Sequence, residues 1–299
     1  MEKKKIIFKT KNNYKDWSNK MSNLEDYRKA GQELFDKIHL STYPVAIKYL
    51  KDLKEIPEGA IRPIDKGHKM SICQAFTQAR RFSRTYAITA IDNFCTPSSV
   101  GHGWVDISEE EFIESQIRQG WSKDPQAERR RAAQQYAKNF KNIISLGYRG
   151  LVCSPLPETL VIPDTILTYC DGPQLTYIIH ALTFEHKSKY SITSSFEGFG
   201  ESCGKGGLLP FITRKPQIVI PGAGDRSFAG IQDHELAIGM PAKYIFYVLE
   251  NLFKVGRGQG LKLPLRQILP LNLDENLTPG FKYMRELIDK KLEAERKTL

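Results

Sequence analysis

No C-x-x-C pair occurs in this chain, which excludes the local cysteine motifs of zinc ribbons and ferredoxin-type clusters. No run approaches the roughly 20 apolar residues that a membrane-crossing helix needs. The opening Met1-Glu-Lys-Lys-Lys-Ile-Ile-Phe8 carries charge but lacks the apolar stretch of a secretion signal. Positive charge is plentiful, yet neither zinc-finger spacing nor an aromatic RNA-binding motif accompanies it. Together these absences predict a cytoplasmic globular protein with no membrane partner, and they disfavour nucleic acid as a ligand.

What is present is ordinary globular material: 299 residues, 40% hydrophobic and 26% charged. That is enough to bury a sizeable core, in one large domain or two smaller ones. The formal net charge is +10, and residues 1–20 hold seven Lys against Glu2 and Asp16, so half of the excess sits in one polar arm. The expected organisation is a flexible basic arm over 1–23, a main α/β domain over 24–255, and a connector with a C-terminal helix over 256–299. A homodimer is compatible with this layout.

Hydrophobic periodicity predicts helices over 24–38, 72–82, 173–186 and 241–255, with Ser71 as the N-cap of the second. Two polar helical segments, 108–119 and 125–140, read as an outer layer or lid. Strands are expected at 43–50, 86–91, 150–154, 160–169, 189–196 and 217–221, with a glycine-rich loop over 198–207. Strands alternating with helices give an α/β or α+β fold, a mixed sheet with flanking helices. Arg84-Thr-Tyr-Ala-Ile-Thr-Ala90 also echoes Ser188-Lys-Tyr-Ser-Ile-Thr-Ser194. Each copy follows an apolar helix and precedes a loop with a cysteine, so 24–155 and 156–255 read as two pseudo-repeated halves.

Five cysteines, an odd number in a chain with no secretion signal, favour metal binding or catalysis over a disulfide framework. Cys73 falls just after the Ser71 cap, where a helix N-terminus favours thiolate over thiol. Cys95 follows a strand beside Thr96-Pro97. Cys203 sits in Gly200-Glu-Ser-Cys-Gly-Lys-Gly-Gly207, where glycines let the backbone approach a bulky group. Cys153 and Cys170 lie within apolar strands and read as small hydrophobes. Their wide spacing means that only the fold could assemble the first three.

Other candidates are polar. Arg226 offers a planar clamp for a carboxylate, Lys205 adds charge beside Cys203, and His234 or Glu235 could move protons. His102 lies between two glycines, near Cys95 in sequence. An ion-pair cluster accounts equally well for Asp225, Arg226 and Asp233 to Glu235. Gly198-Phe-Gly200 followed by Gly204 departs from the dinucleotide fingerprint by one residue and reads as a tight turn.

Several stretches together resemble the domain of unknown function 169 family of anaerobic bacteria and archaea. They are Tyr43-Pro-Val-Ala-Ile-Lys48, Ile72-Cys-Gln-Ala75, the Cys95 loop, Ser154-Pro-Leu-Pro-Glu158, Pro163 to Tyr169 with Pro173 and Gln174, Cys203, Gly224-Asp-Arg226, and Asp233-His-Glu-Leu236 with Pro241. The resemblance implies that Cys73, Cys95 and Cys203 are the recurring cysteines, and it carries no known activity with it. Three thiolates suit a [4Fe-4S] cluster with one iron open as a Lewis acid. The expected function is then a non-redox lyase or hydratase acting on a small anionic carboxylate substrate, held by Lys205 and Arg226, with Glu235 or His234 moving the proton. Two alternatives stand beside it. One is an electron-transfer or sensing protein whose cluster takes a fourth ligand such as Cys170 or His102, and the other is a zinc-stabilised interaction protein.

Overall fold

The computed structural model describes residues 22–120, 122–137, 143, 146–184, 192–194, 200–254 and 279–298. Most of the basic arm, most of the connector, and residues 188–191 of the internal echo lie outside them.

Helix α1 (Leu24–Lys37) opens on a capping box in which Asn23 and Asp26 exchange side-chain and backbone bonds. It turns Tyr27, Ala30 and Leu34 inward. Strand β1 (Val45–Leu50) follows. Helix α2 (Ile72–Phe82) starts where its sequence predicts, with Ser71 Oγ accepting from Gln74 N and Gln74 Oε1 accepting from Ser71 N. Strand β2 (Tyr86–Thr89) leads to the short helix α3 (Thr96–Gly101). Helices α4 (Glu109–Arg118) and α5 (Pro125–Gln135) pack as a pair on Phe112, Ile113 and Ala132. This is the outer layer expected of the two polar segments.

Strands β3 (Gly150–Pro155) and β4 (Thr165–Cys170) are buried at every position. Helix α6 (Gly172–Thr183), strand β5 (Thr193–Ser194), a π-helical turn (Glu201–Leu208) and helix α7 (Leu209–Thr213) come next. The chain continues through β6 (Gln217–Val219), α8 (Ala223–Ala229), β7 (Leu236–Pro241) and α9 (Tyr244–Asn251), and α10 (Pro279–Thr298) follows the connector. Among the described residues no helix is long and apolar enough to cross a membrane.

One seven-stranded sheet runs β2-β3-β1-β4-β7-β6-β5. All its pairs are antiparallel except the parallel β5–β6 pair, so the architecture is mixed α+β with helices on both sides. Side chains alternate across it. Val45, Ile47, Tyr49, Leu167 and Tyr169 face a layer holding α2, the π-turn and Phe211 of α7. Ala46, Ile166 and Cys170 face the opposite layer, where α1, α6 and α9 contribute Leu34, Ile178 and Ile245. Each such fully buried aliphatic side chain stabilises the fold by roughly 1.5–3 kcal/mol.

Two local expectations are corrected. The glycine-rich segment is a π-helical turn over Glu201–Leu208 rather than an open loop. Pro241 does not begin a helix. It closes β7, and helix α9 starts three residues later at Tyr244.

Candidate metal centre

Cys73 stands at the second position of α2, 8% exposed, with Sγ 3.2 Å from Ser71 Oγ. Cys95 is the N-cap of α3. The two segments are tied together just before their cysteines, because Met70 N donates to the Asp92 carbonyl at 2.9 Å and Phe94 N donates to the Met70 carbonyl at 3.1 Å. Asn93 then fixes the Cys95 backbone. Its Oδ1 accepts from Cys95 N at 3.1 Å, and its Nδ2 donates to the Cys95 carbonyl at 2.9 Å.

Cys203 arrives from the other side on the π-turn, which enters through Gly200 at φ +65°. Single π-turns recur at functional sites because they re-aim side chains out of a regular helix. This one lies directly on the sheet. A Cβ on Gly239 of β7 would stand 1.9 Å from the Gly206 carbonyl oxygen, and one on Gly207 would stand 3.1 Å from Tyr49 Oη. Glycine at both places allows the cysteine-bearing backbone to approach so closely.

Two of the three thiols are shifted by the charges around them. Burial pushes the Cys73 thiol up to about 12, and negative charge at Asp225 and Cys95 adds to the shift, against the lowering hydrogen bond from Ser71. Cys203 is also raised, first by burial and then by Cys73, Asp225 and Cys95. The helix N-terminus expected to favour thiolate at Cys73 is therefore outweighed by desolvation. A metal would have to displace those protons.

Of the other two cysteines, Cys153 shares the core layer of Cys73 and Cys203 and Cys170 does not. Cys170 is on the opposite face of the sheet. Cys153 is fully buried in β3, and its thiol is pushed up to about 12 by burial against the lowering effect of the backbone at Tyr86.

Asp225 is the acidic neighbour that the sequence named only as an ion-pair partner. It is 6% exposed, and its Oδ2 accepts from Gly222 N at 3.0 Å and from Ser202 N at 3.3 Å. Burial raises its carboxyl despite these bonds. The signal was available: Asp225 follows the turn after β6, as Cys95 follows β2.

The cations have partners. Lys205 is buried and sits 3.2 Å from Glu201 Oε2, one helical step back. Arg226 Nη1 donates to the Gln232 carbonyl at 2.9 Å and meets Asp233 Oδ1 at 3.3 Å. Each cation expected to hold a carboxylate substrate thus already has an acidic neighbour of its own.

Glu235 lies at the far end of α2, where Arg80 grips both its oxygens at 2.5 and 3.0 Å and Arg81 adds a contact at 3.2 Å. Burial would raise its carboxyl, but the Arg80 bond, Gln232 N and the two guanidinium charges hold it below the usual value. Arg80 is roughly 10 Å along the helix from Cys73. Glu235 is therefore an anchor at some distance from the thiols. His234 is exposed beside it.

Buried polar atoms without partners occur on both sides of the sheet, and several are on the thiol side. Among them are Tyr49 Oη, Tyr169 Oη, Ser202 Oγ, His102 Nε2 and Trp104 Nε1. The Cys203 charge acts on Tyr49 after burial itself, and Asp225 heads the charges acting on Tyr169. Ser202 faces Tyr169 and Asp225, with its hydroxyl short of hydrogen-bond geometry.

His102 Nδ1 meets the Ser98 carbonyl at 2.7 Å, so in the neutral ring that nitrogen carries the proton and Nε2 a bare lone pair. Burial lowers the imidazole to about 4, against the raising effect of the Ser98 and Cys203 carbonyls.

Among the described residues, no three His, Cys, Asp or Glu side chains converge closely enough for one metal ion. Thiolates on a single zinc stand only about 3.8 Å apart, given zinc–sulfur bonds of roughly 2.3 Å. A cluster spreads its ligands over a larger body and brings sulfides that accept hydrogen bonds.

The sequence matches the profile of DUF169, described as an uncharacterised ArCR family, over residues 33–251, and the chain belongs to that family. It is also 21% identical to the uncharacterized protein MJ0308 of Methanocaldococcus jannaschii over 231 residues, which covers 77% of this chain and 94% of that protein. No solved structure matches the chain.

Proposed function

We propose that this DUF169 protein holds a [4Fe-4S] cluster on Cys73, Cys95 and Cys203, and that it catalyses a non-redox lyase or hydratase reaction on a small carboxylate. One observation carries the reading. Charge at Cys95 acts on both Cys73 and Cys203, and Cys73 acts on Cys203, while Cys153 and Cys170 are enclosed within strands. When bound, the cluster would supply an iron without a protein thiolate, a Lewis acid for a hydroxyl or carboxylate.

The chain's own contribution shifts from the residues first expected. Glu235 is committed to Arg80 and Arg81, so Asp225 is the carboxyl assigned here to hold or move a proton. Lys205 is paired with Glu201. A cavity of about 470 Å³ lined by Thr89, Ile91, Trp104, Tyr148 and Arg149 is of small-molecule size, and Arg149 puts a cation in its wall. Trp104 connects it to His102, the ring centroids being 5.1 Å apart.

A second reading has its own support. The lone pair on His102 Nε2, with Nδ1–H held by a backbone carbonyl, is the usual posture of a metal-ligating histidine. A fourth ligand there would close the centre and favour electron transfer or sensing.

Iron, zinc and acid-labile sulfide measured on protein purified without oxygen test the cluster. Zinc without sulfide would return the site to a zinc-stabilised interaction protein. Electron paramagnetic resonance of the reduced protein, with and without a panel of small hydroxy acids, separates the two cluster readings. A spectrum that responds to the acids supports the enzyme. A spectrum indifferent to them but altered in His102→Ala supports full ligation.

A further inference from the structure

We propose that the hydroxyls of Tyr49 and Tyr169 donate hydrogen bonds to the group held by the three cysteines, and that these bonds set its reduction potential. The inference rests on the cluster reading and adds to it two positioning residues that ligate nothing.

The argument starts from burial. Each tyrosine is 2% exposed; Tyr49 Oη has no hydrogen-bond partner, and Tyr169 Oη has beside it only the Ser202 hydroxyl, out of hydrogen-bond geometry. A buried hydroxyl left unpaired costs about 1–3 kcal/mol, so two in one layer call for an acceptor. A phenylalanine at either place would fill nearly the same space without that cost.

Their placement says where the acceptor lies. Both rings stand on one face of adjacent strands. The register that pairs Val45 with Leu167 sets Tyr49 and Tyr169 toward opposite ends of that face. Their charged neighbours nevertheless converge, with Cys203 acting on Tyr49, and Asp225 and Cys73 acting on Tyr169. Tyr169 carries the Arg80 guanidinium 4.2 Å from its ring centroid and meets Ser202, the residue before Cys203. Tyr49 Oη is also pressed against the π-turn at Gly207, where a side chain would crowd it.

Completeness of burial narrows the occupant. A diffusing substrate would have to open the core to reach either oxygen, whereas a resident group is enclosed as the fold closes. Cluster sulfides accept hydrogen bonds, and such bonds are a lever on the potential. A donor stabilises the more negative, reduced state, so each hydroxyl raises the potential. A lone zinc ion offers no acceptor. Ordered water would accept the bonds and leave the potential alone.

The test compares wild type, Tyr49→Phe, Tyr169→Phe and the double variant, all purified without oxygen and assayed for iron and sulfide. A potentiometric titration followed by paramagnetic resonance should give a lower midpoint in each single variant and the lowest in the double. Thermal midpoints of the metal-free proteins should stay level or rise, whereas those of the loaded proteins should fall. Equal potentials at full cluster content would overturn the inference and leave the cluster reading standing. Wild-type protein without iron and sulfide would overturn both. Should a variant fail to fold, replacing tyrosine by 3-fluorotyrosine throughout keeps the shape and strengthens the donor. The midpoint should then rise, and an unchanged or lower one would count against the proposal.

Discussion

The two faces of the central sheet are built from the same strands and solve different problems. On the face covered by α1, α6 and α9, the cluster is aliphatic and aromatic, and its conspicuous buried polar group is satisfied: Gln174 Nε2 donates to the Ile38 and His39 carbonyls at 3.2 and 2.7 Å. On the face under α2 and the π-turn, buried ionisable groups sit beside hydroxyls with no partner. Interiors rarely tolerate such atoms. The first face leaves Thr168 Oγ1 without a partner as well, but both unpartnered tyrosine hydroxyls lie on the second.

Cysteine replacement gives the sharpest break in that comparison. Cys73→Ser, Cys95→Ser and Cys203→Ser should each remove most bound metal, whereas Cys170→Ser on the other face and Cys153→Ser inside β3 should retain it. Full metal content in any of the first three would take that residue out of the site.

Next in size is the ion pair at the far end of α2. Arg80 and Glu235 have side chains 0% and 6% exposed, and removing one partner strands a buried charge. Glu235→Ala should destabilise the metal-free protein by about 3–5 kcal/mol in urea unfolding. The folded-state pKa of Glu235 lies below its ordinary 4.5, so the pair's contribution is full above that pH and is lost as pH falls through the lowered value. The gap between wild type and Glu235→Gln should therefore shrink on acidification. A gap constant from pH 7 to 3 would show that the carboxylate charge contributes nothing.

On the apolar face, Leu34→Ala should cost about 2–5 kcal/mol through the cavity it leaves. It should do so without changing metal content, since Leu34 touches only that layer. Loss of metal in this variant would mean that the two faces are not separable.

The smallest effect is expected from removing residues 1–21. They are polar and basic, and the thermal midpoint should move by only a few degrees. A large drop would reveal docking of Ile6, Ile7, Phe8 or Trp17.

Much of the scaffold was legible in sequence because local chemistry and tertiary role agreed. Ser71 with Gln74 is a capping box in both, and α2 runs between the same two residues in both. Strand β7 escaped because Leu-Ala-Ile-Gly-Met-Pro is short, apolar throughout and ends in proline. A strand buried on both faces shows no alternation by which to know it.

Loop and helix-start positions are what single out Cys73, Cys95 and Cys203 as proposed ligands. The ionisation of Cys73 was not readable in this way, since a helix end is visible in sequence while the depth of burial is not. The two tyrosines were hidden for a related reason. Their relevance comes from which face they occupy, and that depends on the pairing of β1 with β4.

The contact between Gly206 and Gly239 also bears on when the protein becomes competent during synthesis. The π-turn carrying Cys203 rests on β7, and β7 lies between β4 and β6 although it is made after both. At translation speeds of roughly 5–20 residues per second, on the order of ten to thirty seconds separate the emergence of Cys73 from that of Gly239. Through that interval the first thiols wait on a partly built sheet. Any group that the cysteines share must be delivered late, to a chain whose final central strand has just slid into place.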